Sequence, residues 1–229
     1  MSCKDEIPRR SDFYISTVTF LVEDSLFKVP REPFEKESEV FRGMFSLPQG
    51  SSGVVEGLSD ENPIRIDGTS KDDFEELLKA LLHRKYDSQP NLPHGIEQWT
   101  SVLKLSTAWN FESLRQASIN ALMESGIGAV DRVVLSQQYH IENWLLPALN
   151  ELARRQEPVS LEEAKRMGID IALQLASVRE RVTVTMQTYP SAFGNPYQHS
   201  LAVGSCRDPR MRDFDFSDQI RSTFSAYEL

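Results

Sequence analysis

Apolar and polar positions first alternate between Phe13 and Glu23, where FYISTVTFLVE sets Val18, Phe20 and Val22 on one face, the period-two pattern of a half-buried strand. Asp24-Ser25 supplies a turn and Leu26–Val29 a short return strand, so residues 13–29 predict a β-hairpin. Pro30 and Pro33 are expected to end the pairing, because proline donates nothing to a ladder. The period then lengthens. Val40, Phe41, Met44 and Phe45 form a helical stripe within Phe34–Leu47, with Ser38 as its N-cap, and one or two short helices are expected. Residues 48–62 are rich in glycine, serine and acid and read as a loop. Pro63–Ile66 alternates as a third strand, closed by Asp67-Gly68.

The clearest helix opens at Ser70, with Asp73 completing a variant capping box and Phe74, Leu77, Leu78, Leu81 and Leu82 on one face. After the loop SQPNLPHG, Ile96–Trp109 is apolar around most of its circumference, as a buried helix requires. Phe111–Met123 returns to a stripe, and Gly126 and Gly128 mark a stop. Further helices are expected over Val130–Gln138 and over Asn143–Leu152, where Pro147 fits only in the first turn. A last helix opens on the capping box of Ser160 and Glu163 and keeps one face through Gly168, Ile171, Leu175 and Val178 to about Thr185. Residues 187–229 hold no sustained periodicity and are expected to be flexible or loosely docked.

Composition narrows the function classes. The 229 residues are 40% hydrophobic, enough for one sizeable core or a domain and a smaller companion. Cys3 and Cys206 lie near opposite ends in polar stretches and form no disulfide framework, which points to a reducing, intracellular setting in the cytoplasm or nucleus. Residues 1–13 hold no apolar run of signal-peptide length, and no later segment approaches a membrane span. A formal charge of −9, with Arg9-Arg10 and Arg154-Arg155 as the densest basic steps, opposes binding to nucleic acid or anionic lipid.

The chemistry-bearing residues are scattered. His83, His94, His140 and His199 share no ligand spacing, so no metal is expected. The run Gly50–Gly57 lacks the Lys-Ser/Thr of a phosphate loop and reads as a flexible surface connection. No compact nucleophile–base signature occurs, and Asp72-Asp73 and Glu75-Glu76 read as first-turn surface charges. Trp99, Trp109 and Trp144 read as packing residues. No catalytic residue and no cofactor is expected. An enzyme would need partners that converge from distant sequence. In the tail, Asp213–Asp218 alternates acid and aromatic, which makes Phe214 and Phe216 candidate partner-binding residues or a self-docked segment.

The order of hairpin, short helices, third strand and helix set, with FLVEDSLFKVPREPFEKESEVFRGMF at 20–45, resembles the opening of a BTB (POZ) domain. The matching positions are Phe27, Val29, Arg31, Phe34, Ser38, Phe41, Met44 and Phe45. Residues 131–185 are similar to the helical extension of many fungal members, notably at Trp144-Leu145, Ala148-Leu149 and Glu163-Ala164. The resemblance implies an α+β, mostly helical chain. It places a tail at 1–11, a BTB-like domain of about three short strands capped by helices at 12–125, a helical extension at 126–186, and a tail at 187–229. It also implies a non-enzymatic module for self-association or partner recruitment, a cullin-type ubiquitin-ligase adaptor among the options, with a transcription-linked scaffold lacking DNA contact as the alternative. Arg31 would contribute to a charged partner pocket in that family. Here the family's histidine is Pro30 and its Cys-Asp-Val reads Ser16-Thr17-Val18, so Arg31 stands without its acidic partner. With eleven residues before Asp12, the N-terminal helix that many dimeric members exchange is expected to be absent, which leaves homodimerisation by that swap open.

Overall fold

In the computed structural model, which describes residues 14–47, 56–83, 92–181, 213–225 and 227, the first alternating segment forms strand β1, Thr17–Val22, and returns as β2, Ser25–Pro30. The loop between them is Glu23–Asp24, one residue earlier than expected, with Val22 opposite Ser25. Glu23 takes a φ of 53°, the positive value that a two-residue hairpin requires at its first loop position. Its carboxylate also accepts the backbone N–H of Lys71 at 3.1 Å, the first residue of helix α3, Lys71–Leu81. The turn is thereby tied to a helix N-terminus, where an anion is favoured. Pro30 does not end the pairing but sits opposite Thr17. An edge strand tolerates proline there, and the next amide, Arg31 N–H, donates to Ser16 O at 2.9 Å.

Strand β3, Ile64–Ile66, lies parallel to β1 with Phe20 opposite Ile64, giving the order β2-β1-β3. Gly57 extends that side of β1. Its carbonyl accepts Thr19 N–H at 2.8 Å and its own N–H donates to Asn62 O at 2.6 Å. This end of the expected flexible connection is therefore pinned; residues 48–55 lie outside the described residues. With φ at +80°, a Cβ on Gly57 would stand 2.9 Å from Ile64 Cδ1 and 3.0 Å from Val18 Cγ2, which glycine alone avoids.

Two short helices follow the hairpin, α1 at Glu32–Glu37 and α2 at Glu39–Ser46. Ser38 separates them with extended backbone, and its hydroxyl accepts Phe41 N–H at 3.2 Å as the N-cap of α2. The same hydroxyl donates to Trp109 O at 2.6 Å, at the end of helix α4, Gly95–Ala108. Ser38 is fully buried, with one donor and one acceptor both used. Helix α5, Glu112–Glu124, completes the first unit. The core is aromatic. Phe20 meets Phe34, Phe41 and Phe74 at centroid distances of 5.2, 5.7 and 5.7 Å, and Phe41 meets Trp109 edge-on at 5.3 Å, the tilted geometry that ring quadrupoles favour. Asp73 in the first turn of α3 is more than a surface charge, because it pairs with Lys104 of α4 at 2.7 Å.

The chain divides into two compact units, Met1–Ile127 and Gly128–Leu229. The second holds α6 at Ala129–Tyr139, α7 at Glu142–Arg154, α8 at Leu161–Met167, α9 at Ile169–Arg181 and α10 at Ser217–Thr223. Together the described residues form a mostly helical α+β chain with one three-stranded sheet. Pro147 falls at the sixth position of α7 rather than in its first turn, so Asn143 O lacks the usual intrahelical donor; buried Leu145, Ala148, Leu149 and Leu152 hold the helix against that loss. The expected last helix is two helices, because Gly168 takes φ 97° and ψ 134° between α8 and α9. Arg179 of α9 donates to Arg155 O at 2.8 Å and Glu157 O at 2.9 Å, satisfying carbonyls left at and beyond the end of α7.

The tail is not loose where it is described. Phe216, Ile220 and Phe224 are each fully buried in the core of the second unit with Leu149, Ile171, Leu175 and Val178. Their four-residue spacing is helical, too brief to stand out from the surrounding polar sequence. Residues 182–212 lie outside the described residues.

Two substitutions test the first unit by urea unfolding. Ser38→Ala removes the α2 cap and leaves Trp109 O without its donor, at an expected cost of about 2–4 kcal/mol; an unchanged midpoint would remove Ser38 from this role. Gly57→Ala should cost more than about 1 kcal/mol.

Candidate functional site

Three places hold the residues that could meet a partner. At the first, Arg31 stands at the N-cap of α1, where its guanidinium pairs with Glu35 at 2.7 Å and lies 4.3 Å from the Phe45 ring centroid. The acidic partner missing from the strand is supplied one helical turn downstream, so Arg31 braces its own helix against Phe45 of α2. Phe34, Ser38 and Phe41 are buried, while Phe27, Met44 and Phe45 pack partly buried against the same aromatic core, which Val29 also joins. These positions build one core and present Arg31 at its margin.

The second place is the docked C-terminal segment. Asn150 of α7 donates to Asp215 Oδ1 at 2.5 Å and accepts Phe216 N–H at 3.1 Å. One turn on, Arg154 Nε donates to Phe214 O at 2.7 Å. Asp215 accepts the hydroxyl and amide of Ser217 at 2.6 and 3.0 Å. These bonds from Ser217, then that from Asn150, hold its carboxyl below the usual carboxylate range. Phe214 packs edge-on to Phe216 at 4.7 Å and stays partly exposed, whereas Phe216 is wholly inside. Phe216 therefore packs against the chain's own helices, and of the two candidate residues Phe214 alone keeps exposed surface. Sequence reasoning missed Asn150 and Arg154. The available signal was the Phe216, Ile220, Phe224 spacing beginning one residue after Asp215.

The third is a cleft of about 650 Å³ beside the N-terminus of α6, lined by Glu151, Arg154, Arg155, Glu163 and Arg166 among others. Its charges are largely spent on each other. Arg155 holds Glu163 through two bonds of 2.6 and 2.7 Å, Arg166 pairs with Asp131, and Arg132 pairs with Glu151. The Arg155 guanidinium, and after it the Ser160 amide at 2.8 Å, lower the Glu163 carboxyl to about 2. A carboxylate so held stays ionised near neutrality and does not shuttle protons; it fixes the start of α8 through a complete capping box. Among the described residues, no three His, Cys, Asp or Glu side chains come together as metal ligands, and no helix is long and apolar enough to cross a membrane.

The depressed Glu163 value sets a pH dependence. A carboxyl whose folded pKa lies below its ordinary 4.5 stabilises fully above that value and loses the contribution as pH falls toward 2. Glu163→Gln, which keeps an acceptor for Ser160, should cost up to about 1 kcal/mol near neutral pH, a solvent-screened pair being worth no more. Urea denaturation across pH should show that difference shrinking below 4.5; a constant difference would contradict the assignment.

No family model matches this chain, and no curated protein matches its sequence.

Proposed function

We propose that this chain is a non-enzymatic protein–protein assembly module of the BTB/POZ type, self-associating or recruiting a partner inside the cell, in the cytoplasm or nucleus. The observation that carries the reading is the convergence of the resemblance positions. Phe27, Val29, Phe34, Ser38, Phe41, Met44 and Phe45 lie on four different elements or joints and meet around one aromatic core, with Ser38 bonded to the end of α4.

A contact mode is available on the sheet. Among the described residues β2 is one of the two outer strands, and Leu26 on it is about half exposed. An outer strand offers backbone groups for strand addition. Lys28 and Pro30, on the same strand, limit that addition to a partner that tolerates a charge and a missing donor. The finer role, bridging a cullin scaffold to a substrate, belongs to the same proposal through the family resemblance.

Light scattering across a concentration series separates the versions. Self-association predicts a mass rising from that of the 26.1 kDa chain toward twice that value. A constant 26.1 kDa mass would remove self-association, and a cullin scaffold that fails to retain the chain in a pulldown would remove the adaptor role.

A further inference from the structure

Helix α10 has seven residues, well below the roughly 12–15 at which an isolated helix becomes even marginally stable in water. Its order comes from the surface formed by α7 and α9. The apolar side of that contact is complete, with Phe216, Ile220 and Phe224 fully buried. The polar side reads the backbone of the arriving segment, Asn150 taking the Phe216 amide and Arg154 the Phe214 carbonyl. A helix held by apolar anchors in a groove and by polar side chains at its rim is how peptide-recognition modules hold a ligand. Here the ligand is carried by the same chain.

Residues 182–212 join α9 to this segment, a stretch that reaches about 100 Å when extended. Helix α9 itself, with 13 residues, is only about 20 Å long. The connection is therefore long enough to span from one copy to the groove of a neighbouring one. That neighbour carries the same groove and the same segment, so every contact made within one chain can be made between two without a new residue.

We propose that the segment 213–227 is exchanged between copies, α10 of one chain seating on α7 and α9 of another. This rests on the self-association reading. A segment tethered to its own groove acts at an effective concentration on the order of millimolar, and a second segment competes only when association through another surface brings it comparably close. Exchange then turns a weak encounter into an interlocked pair, which separates only when two segments leave their grooves.

Complementation between full-length variants tests it. One carries Asn150→Asp with Arg154→Glu, setting two carboxylates against Asp215; the other carries Phe216→Ser with Phe224→Ser. Neither fills its own groove, but the first has an intact segment and the second an intact groove. Exchange predicts that native mass spectrometry of the mixture finds the mixed dimer at least tenfold over both homodimers together. A statistical distribution of dimers would overturn exchange while leaving self-association standing, and monomers alone would overturn both. Should the serine variant not fold, the parent chain cut at a protease site inserted within 187–212 keeps every native side chain. A labelled peptide of residues 213–227 then replaces the cut segment; no replacement at large excess overturns the proposal.

Discussion

The hydroxyl of Ser38 is the joint on which the first unit depends. One oxygen caps α2 and reaches the last carbonyl region of α4 at Trp109, so two short helices, neither stable alone, are set at a fixed place against the long helices that follow. Because Ser38 is fully buried, neither bond can be replaced by water, and loss of either leaves a desolvated polar group. Phe34 and Phe41 flank it on the two short helices and close around Phe20 from the sheet side. The aromatic core and the serine joint thus require each other. The rings exclude water from the hydroxyl, and the hydroxyl ties the start of α2, which carries Phe41, to the end of α4.

The second unit solves a different problem. Pro147 removes one hydrogen bond within the continuous α7, and Gly168 separates α8 from α9. Arg179 gathers carbonyls around the turn after α7, Arg155 grips Glu163 to fix the start of α8, and α10 fills the remaining apolar surface. The unit is completed by a segment remote in sequence, which is why the same surface can be read both as a core and as a groove for a ligand.

What was legible in the sequence was local. The hairpin, the Ser38, Ser70 and Ser160 caps and the α3 stripe follow from alternation, short polar side chains and four-residue spacing, and each is present. What was not legible was pairing at a distance: the parallel alignment of β3 with β1, the closure of Gly57 onto Thr19, and the seat of Phe216 between helices more than 35 residues away. No local pattern encodes a partner across such separations. The break at Gly168 was visible as a glycine, but an apolar face continuing through it concealed the positive φ. The acidic partner of Arg31 was sought on the strand, and Glu35 lay one helical turn away.

The central claim, that the second unit carries the C-terminal segment as a separable ligand on α7 and α9, is tested most directly by residue-resolved hydrogen exchange on the intact protein. The amides of Ile220 and Phe224, bonded to Phe216 O at 2.8 Å and Ile220 O at 2.7 Å, should be protected, yet exchange at least about tenfold faster than core amides of α7 and α9 through an opening of their own. Exchange of all these amides through one common opening, with equal protection, would make α10 a fixed part of the core and contradict the account.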